Sequence, residues 1–261
     1  MTGYPGRGLH GEMVEKIGVR IISGQYEPGC LLYAEELERE LGVSKTVVRE
    51  ALKVLAAKGL VDSRPKRGTI VRPRSAWSLL DSDLLEWRGR GDVDPAFLQD
   101  LAEVRFIVEP EGARLAAARH SGEDLAALAA AVSLMRAAGN DGAAIVEADL
   151  AFHRALLEAA HNELLTRMEA VIEAGLRVRD QLVHSNESWP DSIPEHQAIV
   201  DAVTAGDAEA AAGAVRRLLT RSSEDAAEKV GKGTGSKTGS PAGTRRRRVR
   251  PRPTIDSGAQ P

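Results

Sequence analysis

The sequence predicts a mainly α-helical chain in two parts: an N-terminal unit carrying a small β-hairpin, then an all-α bundle. Three observations carry this. Aromatic residues are only 3% while Ala and Leu are abundant, a composition that favours helices. From Ala96 to Lys229 apolar residues recur at spacings of three and four, with no stretch that reads as a strand. Between Gly59 and Val71 the pattern changes, and two short apolar runs flank a turn of Arg, Pro, Lys and Gly. At 261 residues, 43% hydrophobic and 28% charged, there is room for one large or two ordinary domains. The pattern divides the chain into a first domain over 9–72, a linker over 73–95 and a second domain over 96–229. Residues 1–8 and the Gly-, Ser-, Thr-, Pro- and Arg-rich tail over 230–261 have little to bury and are expected to be disordered.

Within the first domain, Leu37 and Leu41 share one face of a helix that Gly42 stops. Ser44 supplies an N-cap oxygen for the next helix, whose apolar stripe is Val47, Ala51, Val54 and Leu55. That stripe leaves Lys45, Thr46, Arg49 and Lys53 outside. A short helix, a Gly turn and a second helix with exposed polar residues at its start form a helix-turn-helix, whose second helix suits the major groove of double-stranded DNA. The strands Gly59–Val61 and Thr69–Val71 then flank Arg64-Pro65-Lys66-Arg67-Gly68, a hairpin tip placed to touch phosphates. The expected DNA contacts are Ser44, Lys45, Thr46 and Arg49 on the helix, with Arg64, Lys66, Arg67, Gly68 and Thr69 on the hairpin.

In the linker, Trp77, Leu80, Leu84 and Trp87 predict a short amphipathic helix docked between the domains. The second domain divides into helices over Pro95–His120, Gly122–Ala138, Ala143–Ala159, Glu163–Val183, Ser192–Thr204 and Asp207–Ala227. Ser121 and Asp207 mark starts, Gly139-Asn140 and Gly206 mark ends, and Pro110 lies inside the first helix, where it is expected to kink it.

Composition narrows the class further. No apolar run reaches the ~18 residues that span a membrane, and MTGYPGRGLHGEM has no apolar segment of the kind a secretory signal carries. The single cysteine, Cys30, excludes an internal disulfide and fits a reducing cytoplasm. The formal charge is −3, yet from Lys229 onward nine cations face Asp256 alone, a tail of +8 that leaves −11 for the remainder. Arg245–Arg252 suits unspecific attraction to DNA.

Four residues of the second domain interrupt its apolar faces. Asp149 falls at the centre of the face formed by Ile145, Phe152, Leu156 and Ala160, with His153 beside it. His196 lies in line with Ile193, Ile199 and Val200, and Arg105 lies between Leu101 and Val108. Inward-facing ionisable groups need partners, a metal or a ligand. The convergence points to a small polar cavity, with a plain Arg105–Asp149 ion pair as the alternative.

Two stretches resemble a known family. ELGVSKTVVREAL, KGLV and RGTIV, with the upstream IGVRIISGQYEPGCLL, resemble the winged helix-turn-helix of GntR-family bacterial transcription regulators. EVRFIVEPEGARLAA, ADLAFHRAL, the Glu195-His196 pair and GDAEAAAGAVRRLL resemble the FCD effector domain of that family's FadR branch. The resemblance implies an all-α bundle that binds a small carboxylate, frequently through a metal held by one Asp and three His. Asp149, His153 and His196 match three of those ligands, while the fourth falls near Leu218. Either three ligands hold a divalent metal such as zinc, or the same residues hydrogen-bond the effector directly. Arg105 matches the arginine expected to pair with the effector's carboxylate.

The segment WSLLDSDLLEW resembles regulators of galactonate and related sugar-acid catabolism. The expectation is a homodimeric repressor on a palindromic operator, released by a sugar acid; lactate, another hydroxy acid or a dicarboxylate are the alternatives. A metal-dependent enzyme on the same three ligands is the less favoured reading. It lacks a placed general base, because Glu147 and Glu195 neighbour the cluster in sequence but point elsewhere.

Overall fold

A computed structural model describes residues 8–64, 68–90, 94–183 and 192–234. Residues 1–7, the turn 65–67 and the Arg-rich run, for which disorder or DNA contact was expected, lie outside the described residues. The N-terminal domain contains helices α1 (Leu9–Ile22), α2 (Ala34–Leu41) and α3 (Lys45–Ala57), with strands β1 (Leu31–Leu32), β2 (Val61–Arg64) and β3 (Gly68–Val71). The antiparallel sheet has the order β1-β3-β2, with Ile70 between Leu31 and Asp62. Strand β1 is an addition to the two strands that the sequence reading found. Gly42 ends α2 at φ 69°, and the Ser44 hydroxyl accepts from the Val47 N–H at 3.4 Å, so the tight turn forms as its residues dictate.

The buried stripe of α3 is Val48, Ala51, Leu52 and Leu55, not the one centred on Val47 and Val54. Both sets obey helical spacing. Packing against α1, through Met13, Val14, Ile17 and Ile21, selects the face one residue further on and leaves Val47 and Val54 on its flank.

The linker forms a 3-10 turn at Arg74–Ala76 and helix α4 (Ser82–Arg88), capped by the Asp81 carboxylate. Leu84 and Trp87 enter the core of the N-terminal domain, whereas Leu85 packs with Phe97, Leu101, Val171 and Ala174 of the second domain. Leu80, expected on the docking face, is 66% exposed. Helical spacing counted from Trp77 fails because the helix begins only at Ser82. Lys58 ties this segment down through Asp81 at 2.8 Å and Asp83, and Arg90 bridges Glu86 at 2.5 Å and Glu15 of α1.

The second domain comprises α5 (Pro95–Arg119), α6 (Gly122–Ala138), α7 (Gly142–Glu158), α8 (Glu163–Arg167), α9 (Glu169–Val183), α10 (Ile193–Thr204) and α11 (Ala208–Thr234). Helix α6 starts on a Ser121–Asp124 capping box, and α5 continues unbroken through Pro110. The single helix expected over Glu163–Val183 is two, because Met168 ends α8 after five residues. Helix α11 runs to Thr234, so residues 230–234 are helical where disorder was expected. Once a helix is nucleated, each further residue adds a hydrogen bond at little cost, and residues 225–229 contain neither Gly nor Pro to stop it. The core is built from small side chains, Ala113, Ala116, Ala131 and Ala211, around Phe152, Leu156, Ile199 and Val215.

Trp87 sits against Gly18 of α1 so closely that a Cβ there would overlap the indole ring. The substitution Gly18→Ala should therefore displace the indole or strain α1, costing about 1–3 kcal/mol. Urea unfolding of the full chain reads this; an unchanged midpoint would mean that α4 is not held by this contact.

A basic groove and a buried carboxylate–imidazole cluster

Two places concentrate polar chemistry. The first is a groove of about 550 Å³ between the start of α3 and the sheet, lined by Tyr33, Glu35, Lys45, Arg49, Lys53 and Gly68, among others. Lys45, Thr46 and Arg49 are exposed along α3. Carboxylates accompany two cations of this helix: Lys45 pairs with Glu35, and Lys53 with Glu50 at 2.7 Å. Glu38 also accepts the Lys45 backbone N–H at 3.1 Å. Ser44 uses an oxygen lone pair as the cap of α3. On the hairpin, Gly68 opens β3 at φ 86°. Lys66, Arg67 and the Arg64 side chain lie outside the described residues. Thr69 also lines this groove but is mostly buried, paired across the sheet with Ser63, and its hydroxyl lies 3.1 Å from the Ser63 hydroxyl. Its side chain braces the hairpin, because the alternation of β3 turns Thr69 inward and Gly68 and Ile70 to the opposite side.

The second place lies inside the all-α domain, where Arg105, Asp149, His153 and His196 are all buried. One donor atom from each of Asp149, His153 and His196 lies within 4.8 Å of the others. His196 Nε2 is 2.9 Å from Asp149 Oδ1, and His153 Nε2 is 3.6 Å from the same oxygen. The Nδ1–H of His196 donates to the Ser192 carbonyl at 2.7 Å, which leaves Nε2 as the ring nitrogen turned to Asp149. A ring nitrogen and a carboxylate oxygen 2.9 Å apart in a dry core share a cation, either a proton or a metal. That donor set, one carboxylate and two imidazole nitrogens, fits a zinc-like divalent ion. Phe152 meets both imidazole rings edge-on, at 5.7 Å and 4.7 Å between centroids, which limits their rotation.

The sequence reading missed Glu109, which is fully buried on α5. Its Oε1 lies 2.5 Å from Arg105 Nε, and its Oε2 lies 2.7 Å from His153 Nδ1. Arg105 is thus engaged by Glu109, four residues along its own helix. The signal was available, since residues 101, 105 and 109 share one face. The polar residues converge as expected, but the cleft beside His153 holds about 10 Å³, room for one water and not for a sugar acid. At the position of the family's fourth ligand, Leu218 is buried in the apolar core.

Burial opposes charge on Glu109, Asp149 and His153, and their partners overcome it. Burial alone would raise Glu109, but Arg105 and His153 lower it to about 2. Asp149 is likewise held well below the usual carboxylate range by His153 and His196. Burial would lower His153, but Glu109 and Asp149 raise it to about 9. The metal-free cluster therefore stabilises the fold with His153 protonated, fully below its ordinary 6.5, and loses that contribution as pH rises through about 9. The Glu109 contribution is present above its ordinary 4.5 and is lost as pH falls through about 2. In chelator, the thermal midpoint should plateau between about pH 4.5 and 6.5 and decline on both sides. A midpoint flat from pH 6.5 to 9 would contradict a protonated His153.

Comparison with known proteins agrees with this architecture. The gntR family of bacterial regulatory proteins matches residues 9–71, and the FCD domain matches residues 100–221. The galactonate operon transcriptional repressor of Escherichia coli (strain K12) is 36% identical, over 80% of this chain and 93% of its own length. The HTH-type transcriptional regulator LutR of Bacillus subtilis (strain 168) is 32% identical, over 77% of this chain and 93% of its own. A solved structure of Lar from Listeria monocytogenes shares the fold, with a TM-score of 0.61 at 20% identity over 85% of this chain and 98% of that one. The chain belongs to the GntR family of DNA-binding bacterial transcription regulators, with an FCD domain following its winged helix.

Proposed function

We propose that this regulator is a homodimeric repressor whose grip on a palindromic operator is loosened by a small hydroxycarboxylate. The observation that carries the effector half is the convergence of Asp149, His153 and His196 donors within 4.8 Å. These three residues would hold a divalent metal, which supplies a Lewis acid for carboxylate and hydroxyl oxygens. Leu218 contributes no ligand, so a coordination position is left for the effector, as in sites with three protein ligands. With such an ion, the carboxylates of Asp149 and Glu109 and the guanidinium of Arg105 leave one positive charge, which a monocarboxylate neutralises. Arg105 offers further N–H donors to that carboxylate beyond the one on Glu109. The 36% identity to a galactonate operon repressor makes a galactonate-type sugar acid the leading effector, with lactate or a related hydroxy acid next. The cleft of about 10 Å³ beside His153 is too small for such an effector, so this reading requires the domain to open on binding. A ligand changes operator affinity only by favouring one state over the other.

On DNA, two copies of α3 would enter successive major grooves, with Lys45, Thr46 and Arg49 toward bases and phosphates. Ser44 caps that helix beside the backbone, and Arg64, Lys66, Arg67 and Gly68 bring the hairpin tip to phosphates. Replacing Arg49 by Ala should weaken binding to an operator selected from a random pool by about 1–3 kcal/mol. An unchanged Kd in a fluorescence titration would remove Arg49 from the interface.

The effector is tested by thermal unfolding against galactonate, other sugar acids and lactate, with and without chelator. A ligand at 100 times its Kd should add about 2.7 kcal/mol of stability. Loss of the shift in chelator supports metal-mediated binding, and a shift that survives chelator supports direct hydrogen bonding by the same residues. No shift with any acid would sink the effector assignment and leave the DNA-binding half standing.

A further inference from the structure

Glu109 is the member of this centre that the sequence reading did not single out. It is fully buried, and its two oxygens face different partners: Arg105 Nε at 2.5 Å and His153 Nδ1 at 2.7 Å. The other nitrogen of that ring, Nε2, is the one turned toward Asp149. His196 repeats the arrangement, with Nδ1 on the Ser192 carbonyl and Nε2 beside Asp149. Both imidazoles therefore have an oxygen within 2.7 Å of Nδ1 and turn Nε2 toward the same carboxylate. The two supports are not equivalent, because one is a neutral carbonyl and the other an anion. An anionic partner at Nδ1 fixes the tautomer more firmly and makes Nε2 a stronger ligand.

We propose that Glu109 is the positioning residue of the metal centre: through His153 Nδ1 it fixes the ring that faces Asp149, so that three protein ligands hold a divalent cation without help from residue 218. The inference rests on the metal-binding reading above. Arg105 neutralises Glu109 in a core that would otherwise not tolerate a second carboxylate. Gly175 of α9 leaves room for it, since a Cβ there would stand 3.2 Å from Arg105 Cδ. One helix thus supplies both the orienting anion and its counter-ion.

The test is zinc affinity of the full chain, measured in competition with a chromogenic chelator. It compares the wild type, Glu109→Gln, and the double variant Glu109→Gln with Arg105→Met. Gln keeps an acceptor of the same reach without the charge, and the double variant also removes the guanidinium left unpaired. The single variant should bind zinc roughly 10–100-fold more weakly. The double variant should recover the thermal midpoint in chelator without recovering zinc affinity. Recovery of both together would make Glu109 a structural counter-ion only and overturn the inference, as would unchanged affinity in the single variant. Imidazole nitrogen NMR of the zinc-loaded wild type needs no variant: a proton on His153 Nδ1 supports the inference, and a metal on Nδ1 overturns it. A wild type that takes up no zinc overturns the metal reading, and this inference with it.

Discussion

Charge inside a dry helical core is the constraint on which the effector domain is built. Asp149 and Glu109 cannot remain ionised there without partners close by, and the fold supplies Arg105, His153 and His196 from three helices. Removing any one member would leave another uncompensated, which costs more than the pair contributes when intact. The cluster therefore fixes how α5, α7 and α10 pack as well as what they can bind. The apolar shell of Phe152, Leu156 and Ile199 around it raises the strength of each interaction by keeping water away.

Helix α4 gives the two domains a shared element. Adjacent residues on it point to different cores: Leu84 and Trp87 to the DNA-binding domain, Leu85 to the effector domain. Leu85 packs with Leu101 of α5, one helical turn from Arg105, and with Val171 and Ala174 of α9 beside Gly175. Arg88 adds a second tie by stacking over Phe97 at 3.7 Å. A change in how Arg105 and Glu109 are held thus has a contiguous packed route to Trp87 and α1.

The exposed side of α3 shows the same economy of charge on an acidic body. Glu35 and Glu50 hold Lys45 and Lys53 there, so an incoming phosphate would have to compete with existing ion pairs. Such exposed pairs are weak, and a polyanion displaces them readily.

The sequence by itself determined the fold class, the tight turn at Gly42-Val43-Ser44, most helix limits of the second domain and the inward direction of Arg105, Asp149, His153 and His196. Those features depend on residues within a few positions of one another, where caps and helical spacing are sufficient. Tertiary structure decided which of two permitted faces of α3 is buried, that Leu85 rather than Leu80 meets the second domain, and that Thr69 turns inward. It also decided that Glu109, far from Asp149 and His153 in sequence, joins their cluster and takes Arg105 as its own partner. These are choices between alternatives with equal local merit. They are settled by packing between segments distant in the chain, which single-helix periodicity does not encode.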